Sequence, residues 1–158
     1  MRRVRYKNGE LDETDRAILS LLAKEGRMAM KDLAMQVGLS PPSVIERVRR
    51  LEETGVIEGF GARVNPSAIG LPLAVYIRVR PMPGELGRVA KLLVSIPEIT
   101  ECDRITGEDC FIAKAHVASV IDLERVIDKL LPHATTNTSV VQSTPVPQRL
   151  PAAAGPKA

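Results

Sequence analysis

The residues with the clearest chemistry lie in the run SPPSVIERVRR, at positions 40–50. Hydroxyl, carboxylate and guanidinium groups suit the edges of DNA bases, where Arg pairs with guanine, Glu accepts from the amine of cytosine and Ser pairs with either. Arginines at the flanks suit backbone phosphates. The residues of this run that we predict to contact DNA are Ser40, Pro42, Ser43, Glu46, Arg47, Arg49 and Arg50.

This chemistry requires a helix that turns its apolar side inward. At 100° per residue, Val44, Val48 and Leu51 share one face, which leaves the polar side chains on the other. Ser40 is a favourable N-cap, and Pro41 fits the first helical position. A charged helix that is merely solvated would show the same pattern, so the assignment depends on the elements before it.

Two further helices are predicted upstream. The first begins at a capping box formed by Asp12 and Asp15 and ends at Gly26. The second covers about residues 30–37 and ends at Gly38. A helix, a tight glycine-containing turn and a second helix within about 25 residues are typical of a helix-turn-helix.

Residues 56–64, VIEGFGARV, predict a short two-stranded wing beside this motif. We expect Arg63 to touch a phosphate from the wing. Phe60 is expected to pack between the wing and the following linker rather than to intercalate.

The second half of the chain alternates strand and helix patterns. The predicted elements are strands at 73–80, 98–106, 110–117 and 135–143, a helix carrying Leu86, Val89, Leu93 and Ile96, and a helix capped by Ser119 and carrying Val120, Leu123, Ile127 and Leu130. The order β-α-β-β-α-β is that of a ferredoxin-like sandwich with both helices on one face of the sheet. Because the other face needs a cover or solvent, two such sheets packed together would give a two-fold dimer.

The fold class is therefore α+β, with a winged helix-turn-helix followed by a ferredoxin-like βαββαβ sandwich. The predicted domains are a basic arm at 1–10, the winged helix-turn-helix at 11–64, a linker at 65–72, the ferredoxin-like domain at 73–144 and a disordered tail at 145–158. The arm carries four Lys or Arg residues that could follow a phosphate backbone, although a solvated terminus fits its composition better.

Composition excludes several classes of protein. Aromatic residues make up only 3% of the 158 residues, which argues against a single-stranded nucleic-acid platform. No apolar run approaches the roughly 18 residues of a membrane helix, and no hydrophobic segment follows the basic start as in a secretory signal. Two cysteines are too few for a disulfide scaffold, so we expect a cytoplasmic protein.

Several runs resemble one known family, the Lrp/AsnC (feast/famine) transcriptional regulators. LDETDRAILSLLAKEGR and LAMQVGLSPPSVIERVRRLEETGVIEGFGARVNP resemble the DNA-binding half, while TGEDCFIAK and TTNTSVVQS resemble the ligand-sensing domain, so that residues 11–145 are covered. The resemblance implies double-stranded DNA as a partner, a homodimer formed through the sheet domain, and assembly to a higher even oligomer such as an octamer. It also implies small effectors, usually amino acids, lodged between neighbouring sheet domains.

The resemblance further places an effector loop at residues 106–110. Many members of the family carry Gly-x-x-Asp there, with the Asp near the effector amine, whereas this chain has Cys110 in that place and Asp109 one position earlier. A thiol cannot match a carboxylate as the partner of an ammonium group, which leaves open a different amino acid, a different metabolite or no effector. The effector-site candidates are Thr106, Gly107, Glu108, Cys110, Thr136 and Thr138.

Other chemistries are less well supported by the residues. Cys102 and Cys110 are predicted on opposite faces of the sheet, which disfavours a disulfide and favours a structural thiol at Cys110. Together with His116 and His133 they show no recognised ligand spacing, so we predict no metal site. No set of nucleophile, base and orienting residue is found, so we predict neither enzymatic activity nor a cofactor.

The sequence thus predicts a sequence-specific DNA-binding transcriptional regulator whose DNA binding or assembly responds to a small effector, most simply an amino acid. The alternative is an architectural, nucleoid-type DNA-binding protein without an effector, which would show little preference over bulk DNA.

Overall fold

The computed structural model describes residues 11–151, and these residues divide into two compact units. One unit contains the described residues up to Ala62 together with those from Val146 onward, and the other contains Arg63–Pro145. The predicted basic arm at 1–10 lies outside the described residues, as does the predicted tail from residue 152 onward.

Three helices form the first unit, where the sequence predicts them. They are α1 (Glu13–Lys24), α2 (Met30–Val37) and α3 (Pro41–Glu53). The apolar core between them is made by Ile18, Leu22, Leu33, Ala34, Val44, Val48 and Leu51. Because α3 contributes its three predicted inward residues to this core, its polar face is left toward solvent.

The predicted two-stranded wing is wrong as secondary structure, because residues 55–65 contain no β-strand. A hairpin this short is stable only with an apolar face to bury, and both Phe60 and Val64 remain at least half exposed. The ring of Phe60 lies near the turn after α1, where its Cδ1 is 3.8 Å from the place that a Cβ on Gly26 would take. Phe60 therefore contacts this turn.

The second unit begins with a short 3-10 helix, Pro66–Ile69, in the predicted linker. The elements that follow are β1 (Leu73–Pro81), α4 (Leu86–Ser95), β2 (Ile99–Arg104), β3 (Phe111–Val117), α5 (Val120–Leu130) and β4 (Ala134–Val140). The strands lie in the order β2-β3-β1-β4, and every neighbouring pair is antiparallel. This is the ferredoxin-like arrangement that the sequence predicts.

The two faces of the sheet differ as the alternation in β1 requires. Val75, Ile77 and Val79 are fully buried and pack with residues of α4 and α5, while the residues between them, such as Tyr76 and Arg78, are exposed on the opposite face. We call this second face the open face of the sheet.

The last helix corrects one prediction about the core. Val120, predicted inward, is the first residue of α5 and is 60% exposed, whereas Val126 is fully buried. The buried stripe runs through Leu123, Val126 and Leu130, at helical spacings of three and four. The capping residue Ser119 is correctly predicted, since its hydroxyl accepts the Asp122 N–H.

Strand β2 forms one edge of the sheet and is interrupted by a bulge between Ile99 and Glu101. Its register places Cys102 opposite Ala113, and the Ile105 N–H donates to the carbonyl of Cys110. Both thiols are free.

Within residues 11–151, no helix is long and apolar enough to cross a membrane. The same residues contain no group of three or more His, Cys, Asp or Glu side chains placed to hold a metal ion.

Candidate DNA interface and effector loop

The start of α3 is fixed by hydrogen bonds within its first turn. Gly38 adopts the left-handed conformation, with φ of 69°, which ends α2 and turns the chain sharply. The Ser40 hydroxyl accepts the Ser43 N–H at 3.4 Å, and the two serine hydroxyls lie 2.8 Å apart. Both serines and the neighbouring Pro42 are exposed, so this turn presents small polar groups in front of the helix.

The outer face of α3 carries a ladder of charged side chains. The Arg49 guanidinium donates to both carboxylate oxygens of Glu46, at 2.6 and 3.0 Å, and also to Glu53 one turn further on. The hydrogen bond from Arg49 holds the pKa of Glu46 below its ordinary value. To accept from a cytosine amine, Glu46 must therefore share or release Arg49.

The other two arginines of α3 contact α1. Arg47 Nη1 donates to Asp12 Oδ2 at 2.6 Å and to Asp15 Oδ1 at 2.8 Å, and Arg50 Nη2 donates to Asp15 Oδ2 at 2.6 Å. The same two aspartates form the capping box of α1, in which the Asp15 N–H donates to Asp12 Oδ1 at 2.7 Å. The predicted DNA contacts Arg47 and Arg50 are therefore also structural partners of the first helix.

The electrostatics of this cluster follow from its hydrogen bonds. The Asp15 N–H and the guanidinium of Arg47 hold the pKa of Asp12 below its ordinary value, and the two carboxylates raise the pKa of Arg47. The Arg47 side chain is only 28% exposed, while that of Arg50 is 51% exposed. About half of the Arg50 side chain is therefore exposed.

Arg63, the remaining predicted DNA contact, is exposed and begins the second unit. The predicted wing that would carry it contains no strand, and the described residues give it no ion-pair partner.

The predicted effector loop joins β2 to β3. Thr106, Gly107 and Glu108 are exposed, and Gly107 has a positive φ of 109° that favours glycine. The Cys110 N–H donates to the carbonyl of Val79 at 3.1 Å, which ties the end of the loop to β1. The loop is therefore an exposed turn on a fixed base.

One arginine of β1 faces this loop. Arg80 Nη2 lies 2.6 Å from Glu108 Oε2 and 3.7 Å from Asp109 Oδ1. Cys110 instead is half-buried against the core of the sandwich. Asp109 and Cys110 thus face different surroundings, and the loop already holds one guanidinium between two carboxylates.

The predicted threonines of β4 lie on the other face. Thr136 is the register partner of Val79 and Thr138 that of Ile77, so both share the face that the helices cover, and both are half-buried. The neighbours of Arg80 on the open face are the exposed Thr135 and Asn137. The structure therefore does not place Thr136 and Thr138 beside the Arg80 guanidinium.

A groove of about 380 Å³ lies between α4 and β2 on the covered side of the sheet. It is lined mainly by Ala90, Leu93, Val94, Ile99, Cys102 and Phe111. Arg104 also lines it and is the register partner of Phe111, and these two residues flank the loop. The groove therefore lies next to the base of the loop.

Sequence reasoning missed two sets of partners. It used Asp12 and Asp15 only as the start of α1, although the capping box leaves one carboxylate oxygen of each residue to accept from an arginine. It also left Arg80 without a role, although alternation along β1 places that residue on the open face. The long-range pairing of either set has no signal in local spacing.

Comparisons with known proteins agree with both units. Residues 11–58 match a family model described as winged helix-turn-helix DNA-binding, and residues 74–151 match one described as the Lrp/AsnC ligand binding domain. The HTH-type transcriptional regulator LrpC of Bacillus subtilis is 34% identical over 134 residues, which are 85% of this chain and 93% of that protein.

Solved structures show the same likeness. The structure of B. subtilis LrpC matches with a TM-score of 0.84 and 33% identity, covering 88% of this chain and 99% of that one. A feast or famine regulatory protein from M. tuberculosis, complexed with L-methionine, matches with a TM-score of 0.83 and 32% identity over 89% of this chain and 97% of that one. The Neisseria meningitidis regulator NMB0573, also complexed with L-methionine, has a TM-score of 0.81 and 26% identity over 89% and 96%.

Proposed function

This chain belongs to the Lrp/AsnC family of transcriptional regulators, and from that premise we propose that it binds specific DNA sequences under the control of a small effector. The observation that carries the proposal is the pairing, on one chain, of an exposed and capped helix α3 with a sheet domain of the ligand-binding kind. The DNA-reading residues would be those on the exposed face of α3, with Ser43, Glu46 and Arg50 toward bases. Arg49 and Arg63 would lie toward phosphates.

An amino acid is the effector that the chemistry favours. Two related regulators are solved with L-methionine. In this chain the Arg80 guanidinium, now shared between Glu108 and Asp109, is a suitable partner for an incoming α-carboxylate. Because Cys110 offers no charge to an ammonium group, the amine of the effector would have to find its partner elsewhere.

The open face of the sheet supports a homodimer. It carries Tyr76 with the Lys114 ammonium 5.8 Å from its ring centre, a mixed surface that a second copy could cover. Higher even oligomers would follow from further contacts between dimers. We also propose that the protein works in the cytoplasm, without catalytic activity and without a cofactor.

The dimer can be tested on the full chain by sedimentation equilibrium. Tyr76→Asp places a charge in the centre of the open face and should shift the protein toward monomer. Val94→Asp is the control, because Val94 is highly exposed on α4, away from that face. A Tyr76→Asp protein with unchanged mass would exclude the open face as the interface.

The proposed function is tested by fluorescence anisotropy on the DNA upstream of the protein's own gene, with random DNA as the control. The titration is repeated in a pool of the twenty amino acids. Selective binding that shifts with the pool supports a ligand-responsive regulator, and dividing the pool identifies the effector. Binding that never discriminates between the two DNAs would contradict the proposal.

A second candidate function is an architectural DNA-binding protein that senses nothing. It is favoured by Cys110 in the place of the family's acidic residue, and by the internal carboxylate of Glu108 on Arg80. In that case no amino acid would change DNA affinity, and specificity over random DNA would be slight.

A further inference from the structure

Asp15 stands apart from the other charged residues of the chain. Among the residues that the structure describes, it is the only charged side chain that is fully buried. Its Oδ1 accepts from Arg47 at 2.8 Å and its Oδ2 from Arg50 at 2.6 Å. Both guanidinium groups belong to α3, so one buried carboxylate of α1 holds two cations of the DNA-reading helix.

The charges in this cluster balance. Asp12 and Asp15 supply two negative charges, and Arg47 and Arg50 supply two positive charges. A buried carboxylate is strongly unfavourable without such partners, so the two arginines are not free to leave together. Their side chains remain 28% and 51% exposed, which keeps part of each group accessible.

This arrangement bears on how the protein distinguishes DNA sequences. An arginine that can extend freely binds phosphates of any sequence, since phosphate contacts carry no sequence information. An arginine whose guanidinium is held on one side can meet a base edge only in one orientation. The restraint on Arg47 and Arg50 should therefore lower affinity for random DNA and raise discrimination.

We propose that Asp15 is a positioning residue for DNA specificity, which holds Arg50 in the orientation for base reading and withholds Arg47 and Arg50 from indiscriminate phosphate binding. The proposal rests on the DNA-binding function of the chain. It goes beyond a structural role, because a residue that only stabilised α1 would affect specific and random DNA alike.

The test is Asp15→Asn in the full chain, which keeps the size of the side chain and removes its charge. A specific duplex is first selected by the wild-type protein from a random-sequence pool. Binding of this duplex and of random DNA is then measured by anisotropy at salt concentrations between about 50 and 200 mM. Each phosphate newly neutralised by a released arginine should steepen the salt slope by about 0.9.

For Asp15→Asn we expect tighter binding to random DNA, with a salt slope steeper by one to two such phosphate contacts. We expect weaker binding to the selected duplex, so that the specificity ratio falls about tenfold, as for the loss of one oriented base contact. The matched control is Glu13→Gln, an equal change of charge at an exposed site in the same turn of α1. This control corrects for the long-range effect of charge.

Three results would overturn the proposal. Asp15→Asn could weaken binding to both DNAs by the same factor with an unchanged salt slope, or Glu13→Gln could reproduce its full effect. Where circular dichroism shows that Asp15→Asn does not fold, Arg50→Gln takes its place, because Arg50 is half-exposed and, if Asp15 withholds it from phosphates, its loss should leave the salt slope for random DNA unchanged. A shallower slope for random DNA in that variant would be the third contradicting result, whereas failure of the wild type to enrich any sequence would contradict the DNA-binding specificity itself.

Discussion

Two clusters of ion pairs in this chain have the same shortest distance and different surroundings. In the first unit, Arg50 lies 2.6 Å from Asp15, whose side chain is fully buried. In the second unit, Arg80 lies 2.6 Å from Glu108, whose side chain is 86% exposed. Distance alone would rank the two pairs as equal.

Burial separates them. A buried pair cannot open without leaving a charge away from water, whereas an exposed pair exchanges its partner for water or for a ligand at little cost. The Asp15 cluster is therefore suited to hold a helix in place. The Arg80 pair is suited to be displaced, which is what the recognition of a carboxylate-bearing effector requires.

The largest difference between the clusters should appear in stability. Arg47→Ala leaves the buried Asp15 with a single cation, and we expect a loss of about 3 kcal/mol in the free energy of unfolding of the first unit. Urea denaturation followed by circular dichroism measures this loss. Arg80→Ala is the matched change in the other cluster and should cost less than about 1 kcal/mol. Equal losses in the two variants would break the comparison.

The next effect concerns DNA. Arg50→Ala should weaken binding to a specific duplex by about 1–3 kcal/mol, the range for one bidentate base contact. Arg50→Lys is the informative companion, because it keeps the charge and loses the planar guanidinium. Anisotropy titrations on specific and random DNA give both numbers, and an equal loss on the two DNAs would refute base reading by Arg50.

A smaller effect is expected at the exposed pair. Glu108→Gln removes the carboxylate that now faces Arg80, so an effector carboxylate should bind more tightly, by up to about 1 kcal/mol. Isothermal titration with the amino acid identified from the pool measures this change. Weaker binding in Glu108→Gln would indicate that Glu108 itself contacts the effector.

The smallest effect is a dependence of stability on pH. The folded pKa of Asp12 lies below its ordinary value of 3.8, so its contribution to stability is present above that pH and is lost as the pH falls through the folded pKa. The thermal unfolding temperature, measured from about pH 5 downward, should therefore fall in the wild type once the pH drops below the ordinary value of 3.8. In Asp12→Asn the curve should be flatter over the same interval, and identical curves would contradict the assignment.

Local patterns were enough to predict the elements that carry the candidate sites. The caps at Asp12, Ser40 and Ser119 use hydrogen bonds within three residues, so spacing alone indicates them. Alternation in β1 likewise predicts which residues face the helices. These features depend on neighbours along the chain.

The features that escaped prediction depend on distant residues. Arg47 and Arg50 meet Asp15 across 32 and 35 residues, a pairing that only the docking of α1 on α3 creates. Thr136 and Thr138 face the helices because of the register between β4 and β1, which the Thr-rich sequence leaves undetermined. The two wing strands that the structure lacks were predicted from glycines at 59 and 61, which suit a hairpin and an irregular loop equally well.

The bulge in β2 has a consequence for the behaviour of the protein at high concentration. β2 is an edge strand, and an edge with free backbone groups is a template on which further strands can add and fibrils can grow. The bulge between Ile99 and Glu101 interrupts that template, and Glu101, Asp103 and Arg104 place charges along it. Sideways growth of the sheet is thereby discouraged at this edge, so β2 resists aggregation when the protein is concentrated.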